Sequence, residues 1–311
     1  MALVNAIGLS SGILTIVGFF QSNLPAKPAE GTTVSVKVGL GDDDSDNLSG
    51  GIGAIYGFDT NNNYIGKAAG AKVGTGGFRE FTIDQSVPGM QGDFISVEST
   101  NDAICIAWVS VGMFDDSPGG AWTGDIGFNC GQRWYEGNQV AGKDNDTGEL
   151  YKPRCTWIDG DDTGDFETSA LKFRTRAYGE KSEDTLDNNK ECSETAFGKD
   201  PGPINGIPGA KRAVPTRRPW MEQRLIMSNG TSHSAANLCR SETSYGPDFL
   251  SADGQFCDMV SKTLSPLCSV KEVDGCVDVD ASAMTVHKRS SVAKRTSSLL
   301  HKSYSKVSQW S

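Results

Sequence analysis

The chain has 311 residues, 37% of them apolar and 8% aromatic, enough to fill one large or two ordinary cores, which excludes a wholly disordered protein. Its 37 glycines and 12 prolines follow no three-residue period, which excludes collagen and points to tight turns between strands. The net charge is -10, and no acid follows Asp280, so the first 280 residues carry 23 bases against 39 acids, a net of -16. A body that acidic repels phosphate backbones, and nucleic-acid binding by the folded part is not expected.

Residues 1–26 hold an export-like apolar run from Leu3 to Phe20, without the basic opening of a secretory signal and with Leu24 three positions before the best cleavage point, after Ala26. Gly8, Gly12 and Gly18 break the run well short of a spanning helix. Three readings stand: a weak signal peptide, a helix docked on its own domain, and an interfacial membrane helix. Sequons begin at Asn47, Asn145 and Asn229, glycan acceptors if the chain is exported.

From residue 32 the pattern alternates, with Val34, Val36 and Val38 on one face of a strand. Further strands are expected at 52–58, 64–67, 78–83, 93–98, 103–111, 122–128, 154–158 and 171–177, and the run Ile104–Val109 reads as a buried inner strand because it is apolar on both faces. Asp59-Thr60-Asn61-Asn62-Asn63 reads as a hairpin loop. Strands at short spacing with no amphipathic helix between them predict a mainly β fold, an antiparallel sandwich or jelly roll over 32–178.

Composition shifts after Tyr178. A charged and then Pro/Gly-rich span, 179–220, reads as an extended linker with dibasic pairs Lys211-Arg212 and Arg217-Arg218. Residues 221–280 follow as a small irregular disulfide-rich module, and 281–311 as a mobile tail or basic surface helix. The eight cysteines are an even number with no Cys-x-x-Cys pair, which fits disulfides in an oxidising compartment. Cys239, Cys257, Cys268 and Cys276 read as staples for a segment too small to close a good core alone, with pairing left open and buried reduced thiols as the alternative.

Candidate chemistry is sparse. The turn at Asp159, Asp161, Thr163 and Asp165 has calcium-loop spacing with Gly164 at position six, but Ala170 stands where the closing Glu belongs, so only a degenerate calcium site is available and solvated acidic turns are the plainer reading. The loop starting at Asp42 lacks both the glycine at position six and the closing Glu, with Asn47 and Gly53 in their places, and Asp144, Asp146 and Glu149 add a third acidic turn whose ligands loops at one end of a sandwich could pool. No other cofactor is expected. Of three histidines, two fall in the tail, leaving His233, which with Asp248 and a serine such as Ser232 or Ser234 is the sole candidate for nucleophilic chemistry. No Gly-x-Ser-x-Gly elbow accompanies it, and a packing role ahead of a short helix is the plainer assignment. Among the tryptophans, Trp108, Trp122 and Trp157 lie within expected strands and read as core, while Trp134 beside Tyr135 reads as an exposed ligand surface.

The blocks Asn101–Ala107, Gly124-Asp125 through Cys130 and Trp134-Tyr135, Tyr151–Asp159, Ser232–Ala235, Gly246–Phe249, Phe256–Met259 and Pro266–Cys268 resemble a family of uncharacterised proteins from filamentous ascomycete fungi over most of 32–280. The resemblance implies a fungal source and a two-part layout and carries no reaction. In strand rhythm alone the first part is also loosely similar to PLAT-type lipid-associating sandwiches. Cys130 and Cys155, each flanking an aromatic strand-like block, are the expected pair in the first part, with Cys105 buried and unpaired. The expected function is a non-enzymatic secreted or surface-associated binding module, presenting acidic loops and an aromatic patch to a protein or carbohydrate partner. The alternatives are a hydrolase or metabolite-modifying enzyme using His233 and Asp248, and an intracellular protein touching membrane through its first segment or basic tail.

Overall fold

A computed structural model describes residues 31–42, 47–115, 117–143, 150–161, 166–179, 181–199, 202, 204, 219–241, 243–289 and 301–310. The chain divides into two compact units, Met1–Pro215 and Thr216–Ser311. It is mainly β, with antiparallel sheets and four disulfides.

In chain order the first unit holds β1 (Thr33–Val38), β2 (Gly50–Phe58), β3 (Tyr64–Ala69), β4 (Lys72–Val73), β5 (Phe78–Thr82), β6 (Asp84–Gln85), β7 (Phe94–Ser99), β8 (Ile104–Gly112) and β9 (Pro118–Thr123). Helix α1 (Gly124–Asn129) follows, then β10 (Trp134–Tyr135), β11 (Gly142–Lys143), β12 (Leu150–Tyr151), β13 (Cys155–Ile158), β14 (Ala170–Arg174), a 3-10 turn (Thr175–Tyr178), α2 (Ser182–Asp187), α3 (Glu191–Glu194) and β15 (Thr195–Gly198). One sheet runs β10-β13-β8-β1-β5 with β9 also on β8, and the other runs β15-β14-β7-β2-β3-β6 with β4 also on β2. Their inner faces meet in a sandwich: Trp122 of β9 stacks on Phe173 of β14 at 6.5 Å and meets Phe197 of β15 edge-on at the same distance. Val34, Val36 and Val38 are buried as their alternation requires, and every residue of β8 is buried, as a strand apolar on both faces must be. Trp108 and Trp157 are core residues too.

Three expectations for this unit give way. The strand drawn over 122–128 stops at Thr123, because Gly124 lies so close to β13 that a Cβ there would sit 2.3 Å from the Arg154 carbonyl oxygen, and Asp125 turns into a buried ion pair with Arg154. The span expected as linker from 179 supplies α2, α3 and β15 instead. Its amphipathic first helix buries Ser182, Thr185 and Leu186, and β15 extends the second sheet antiparallel to β14. Cys130 does not pair with Cys155. Cys105 is bonded to Cys155 across the neighbouring strands β8 and β13, with Cα atoms 5.3 Å apart, and Cys130 at the end of α1 is bonded to Cys192 in α3.

The second unit contains α4 (Pro219–Glu222), β16 (Arg224–Ser228), α5 (Ala235–Arg240), β17 (Asp248–Leu250), β18 (Gln255–Asp258), β19 (Thr263–Pro266), β20 (Val277–Asp280), β21 (Thr285–Lys288), β22 (His301–Ser303) and β23 (Lys306–Trp310). A five-stranded sheet, β19-β18-β17-β16-β23, meets a three-stranded sheet, β20-β21-β22, around Leu225, Leu250, Phe256, Val277, Val286 and Tyr304. Cys239 in α5 is bonded to Cys257 in β18, and Cys268 to Cys276, so the expected staples are present. The described residues of that span, 281–289 and 301–310, are not a tail apart from the module: β21, β22 and β23 belong to its sheets, and Trp310 is buried. Single apolar residues such as Val286, Val307 and Trp310, set among Ser and Lys, complete the core, and composition averages them away.

Candidate functional site

The residues singled out from the sequence scatter. Trp134 and Tyr135, expected as an exposed ligand surface, are 0% and 1% exposed. The Trp134 ring is taken by Phe128, edge-on at 4.9 Å, and by Arg154, whose guanidinium lies over Phe128 at 4.6 Å and Trp134 at 4.9 Å and reaches Asp125 at 2.8 Å and Glu136 at 3.5 Å. Tyr151 donates its hydroxyl to Asp125 at 2.6 Å. Burial pushes the Glu136 carboxyl up, and burial together with the Asp125 charge does the same to the Tyr151 phenol. A neighbouring cavity lined by Lys37, Leu40, Trp108 and Gln139 holds about 10 Å³, room for a water and not for a metabolite. This cluster is a packed interior in which one guanidinium serves two carboxyls.

Of the calcium set, Asp159 is 0% exposed and donates its backbone N–H to the Thr168 carbonyl, while Asp161 is exposed. Thr163 and Asp165 lie outside the described residues, as do residues 1–26, Asp43–Asp46, the sequon at Asn145 and both dibasic pairs. Among the described residues no three acidic, His or Cys side chains come together as metal ligands.

His233 and Asp248 are both buried in the second unit, on opposite sides of β17. His233 Nδ1 is 2.5 Å from Ser228 Oγ, and its ring packs edge-on against Phe249 at 6.1 Å and Trp310 at 5.4 Å. Successive strand residues point to opposite faces, so with Phe249 turned to His233, Asp248 is turned away. Its carboxylate accepts from Lys302, Tyr304 and the Met259 N–H. The Ser–His contact joins Ser228 and not the Ser232 or Ser234 considered from sequence.

The feature that sequence reading missed is the outer face of the seven-stranded sheet. Strand register places Phe58 beside Tyr64 and Phe94, Tyr56 beside Lys67 and Ser96, Lys172 beside Ser96, and Arg174 beside Phe94. Tyr64 is 53% exposed, with ring centroids of Phe58 at 6.1 Å and Tyr56 at 6.4 Å. The Tyr56 hydroxyl donates to Glu98 at 2.8 Å, and burial, then the Glu98 hydrogen bond and charge, push the phenol up to about 12. Arg174 lies 5.6 Å from the Phe94 centroid and pairs with Asp93. Lys172 is buried with its ammonium 3.4 Å from the Phe58 centroid, donating to Asn62 Oδ1 at 2.5 Å and to the Ile204 carbonyl at 2.7 Å, and desolvation lowers it to about 8. Asn62 is held by the hairpin loop, whose Asp59 accepts from the backbone N–H groups of Asn61 and Asn63. Alternation written as i, i+2 aromatics was the available signal: Tyr56-x-Phe58, followed after the turn by Tyr64. What hid it was that the same strands carry the core on their other face.

All eight cysteines are in disulfides, the arrangement of an oxidising compartment, and among the described residues no helix is long and apolar enough to cross a membrane. No family model matches the chain, and no curated protein matches it.

Proposed function

We propose that the chain is a secreted or surface-associated, non-enzymatic binding module, and that the outer face around Tyr64 takes a carbohydrate. The half-exposed Tyr64 ring carries this reading. It offers one apolar platform beside Phe58 and Tyr56, with Lys67 on the same strand face as a donor and the Tyr56 hydroxyl, held by Glu98, as a polar neighbour. One ring with polar neighbours matches one sugar, whereas a stable protein interface needs on the order of 800 Å² per partner with a largely apolar centre. Export is supported by the four disulfides and by the exposed sequon residues Asn47 and Asn229. The resemblance to ascomycete proteins makes a fungal cell wall the natural place to look for the ligand.

The test is depletion of the full-length protein from solution by insoluble β-glucan, chitin and mannan. The wild type is expected to bind at least one, and Tyr64→Ala to weaken that binding about tenfold, the loss of one stacking contact of roughly 1.4 kcal/mol. Absence of binding to all three, or an unchanged Tyr64→Ala, overturns the proposal.

A further inference from the structure

The second unit holds a cluster that a binding face in the first unit does not use. Lys302 Nζ lies 2.8 Å from Asp248 Oδ2 and 2.7 Å from Asp258 Oδ1. The Tyr304 hydroxyl donates to the same Asp248 Oδ2 at 2.9 Å, and the Met259 N–H donates to Oδ1 at 2.8 Å. Asp258 Oδ1 also accepts from the Val260 and Ser261 N–H groups at 2.9 and 3.2 Å. Both carboxyls and Tyr304 are buried. Asp248 and Asp258 share a strand face with Leu250 and Phe256 of the core, and Lys302 comes from the other sheet, so the cluster spans the two sheets of the unit.

One ammonium between two buried carboxylates is an expensive way to hold two sheets together, because three ions are desolvated for two contacts. A neutral amide in the same place removes two of those ions. The groups that amide formation requires are also present: an amine in contact with a carboxyl, hydrogen-bond donors on both carboxyl oxygens to hold charge as it develops, and a second carboxylate touching the nitrogen to carry protons.

We propose that Lys302 and Asp248 condense into an intramolecular isopeptide bond. A proton crosses the 2.8 Å contact from Nζ to Asp248 Oδ2, leaving a neutral amine and a carboxylic acid. Nζ attacks Cγ, and the negative oxygen of the tetrahedral intermediate is Oδ1, held by the Met259 N–H. Asp258 takes a proton from the nitrogen and returns it to Oδ2. The Cγ–Oδ2 bond breaks, and that oxygen departs as water while Oδ1 closes to the amide carbonyl. Ammonium plus carboxylate become amide plus one water, with Asp258 regenerated and no other reactant needed. The product ties β22 to β17 covalently.

The experiment is tryptic mapping of the full-length folded protein after reduction and alkylation. The bond is expected to join peptide 241–262, which contains Asp248 and Asp258, to peptide 296–306, uncut after Lys302, at a mass one water below the sum of the two, with fragmentation placing the link on Asp248. Release of the two peptides separately with cleavage after Lys302 overturns the proposal, and so does a link on Asp258. Asp258→Asn, checked for folding by circular dichroism, is expected to leave the two peptides unlinked, and a linked Asp258→Asn protein overturns the proton-carrying role. Because the wild-type map is itself decisive, a variant that fails to fold leaves the test intact.

Discussion

Replacing Lys172 by methionine should change the pH dependence of stability in a way that isolates one buried amine. In the folded protein Lys172 is lowered to about 8 by desolvation, against 10.5 for the free side chain. Below pH 8 the amine is protonated in both states, and the wild type bears the full cost of the buried charge. Between pH 8 and 10.5 the unfolded chain binds the extra proton, so the wild type gains stability with rising pH, reaching its full value above the unfolded pKa and losing it as pH falls back through 8. The shift corresponds to about 3 kcal/mol at most. A neutral amine keeps its donors to Asn62 and Ile204, so relief of the charge does not cost those bonds. The measurement is the urea midpoint of full-length wild type and Lys172→Met from pH 6 to 10.5 by near-ultraviolet circular dichroism, where the difference between the two should move in favour of the wild type by about 1 M urea. With no free thiol, disulfide exchange does not start in the folded protein at high pH. A difference that stays constant with pH, or that moves against the wild type, refutes a desolvated amine at this position.

Two further outcomes follow from the packing. Removing the Cys130–Cys192 bond, which closes 62 residues, should destabilise the first unit by about 4 kcal/mol, and removing Cys268–Cys276, which closes 8, should cost the second about 2.5 kcal/mol. Chemical denaturation of the paired Cys→Ala variants reads both, and equal losses would contradict the chain-entropy account. Arg154→Met strands Asp125 and Glu136 without their counter-charge and should cost about 3–5 kcal/mol near neutral pH. Burial already pushes Glu136 up, so the deficit should shrink as pH falls and the carboxyls protonate; a deficit that grows on acidification would show that the carboxylates do not depend on Arg154.

Much of the molecule was legible without coordinates. Alternation at Val34, Val36 and Val38 marks the apolar, core-forming side of β1, the doubly apolar run at Ile104–Val109 demands an inner strand, and the Asp59–Asn63 loop closes its hairpin through a local Asx turn. These follow from the chain's own periodicity and from contacts a few residues apart. Even the oxidising setting of the thiols rests on a count. Partners distant in sequence were not accessible in that way. Cys105 meets Cys155, and Cys130 meets Cys192, because strand order β13-β8 and the return of α3 to α1 bring them within bonding range. Trp134 disappears into a guanidinium contact that neither residue announces, and the aromatic face that ends in the half-exposed Tyr64 is assembled from register across β2, β3, β7 and β14. Lys302 looks like one base in a basic tail until β22 carries it between two aspartates. Local pattern determines which side of a strand is buried; which side chains meet across sheets is decided by how the strands pair and stack, and the chemistry of this protein lies in those meetings.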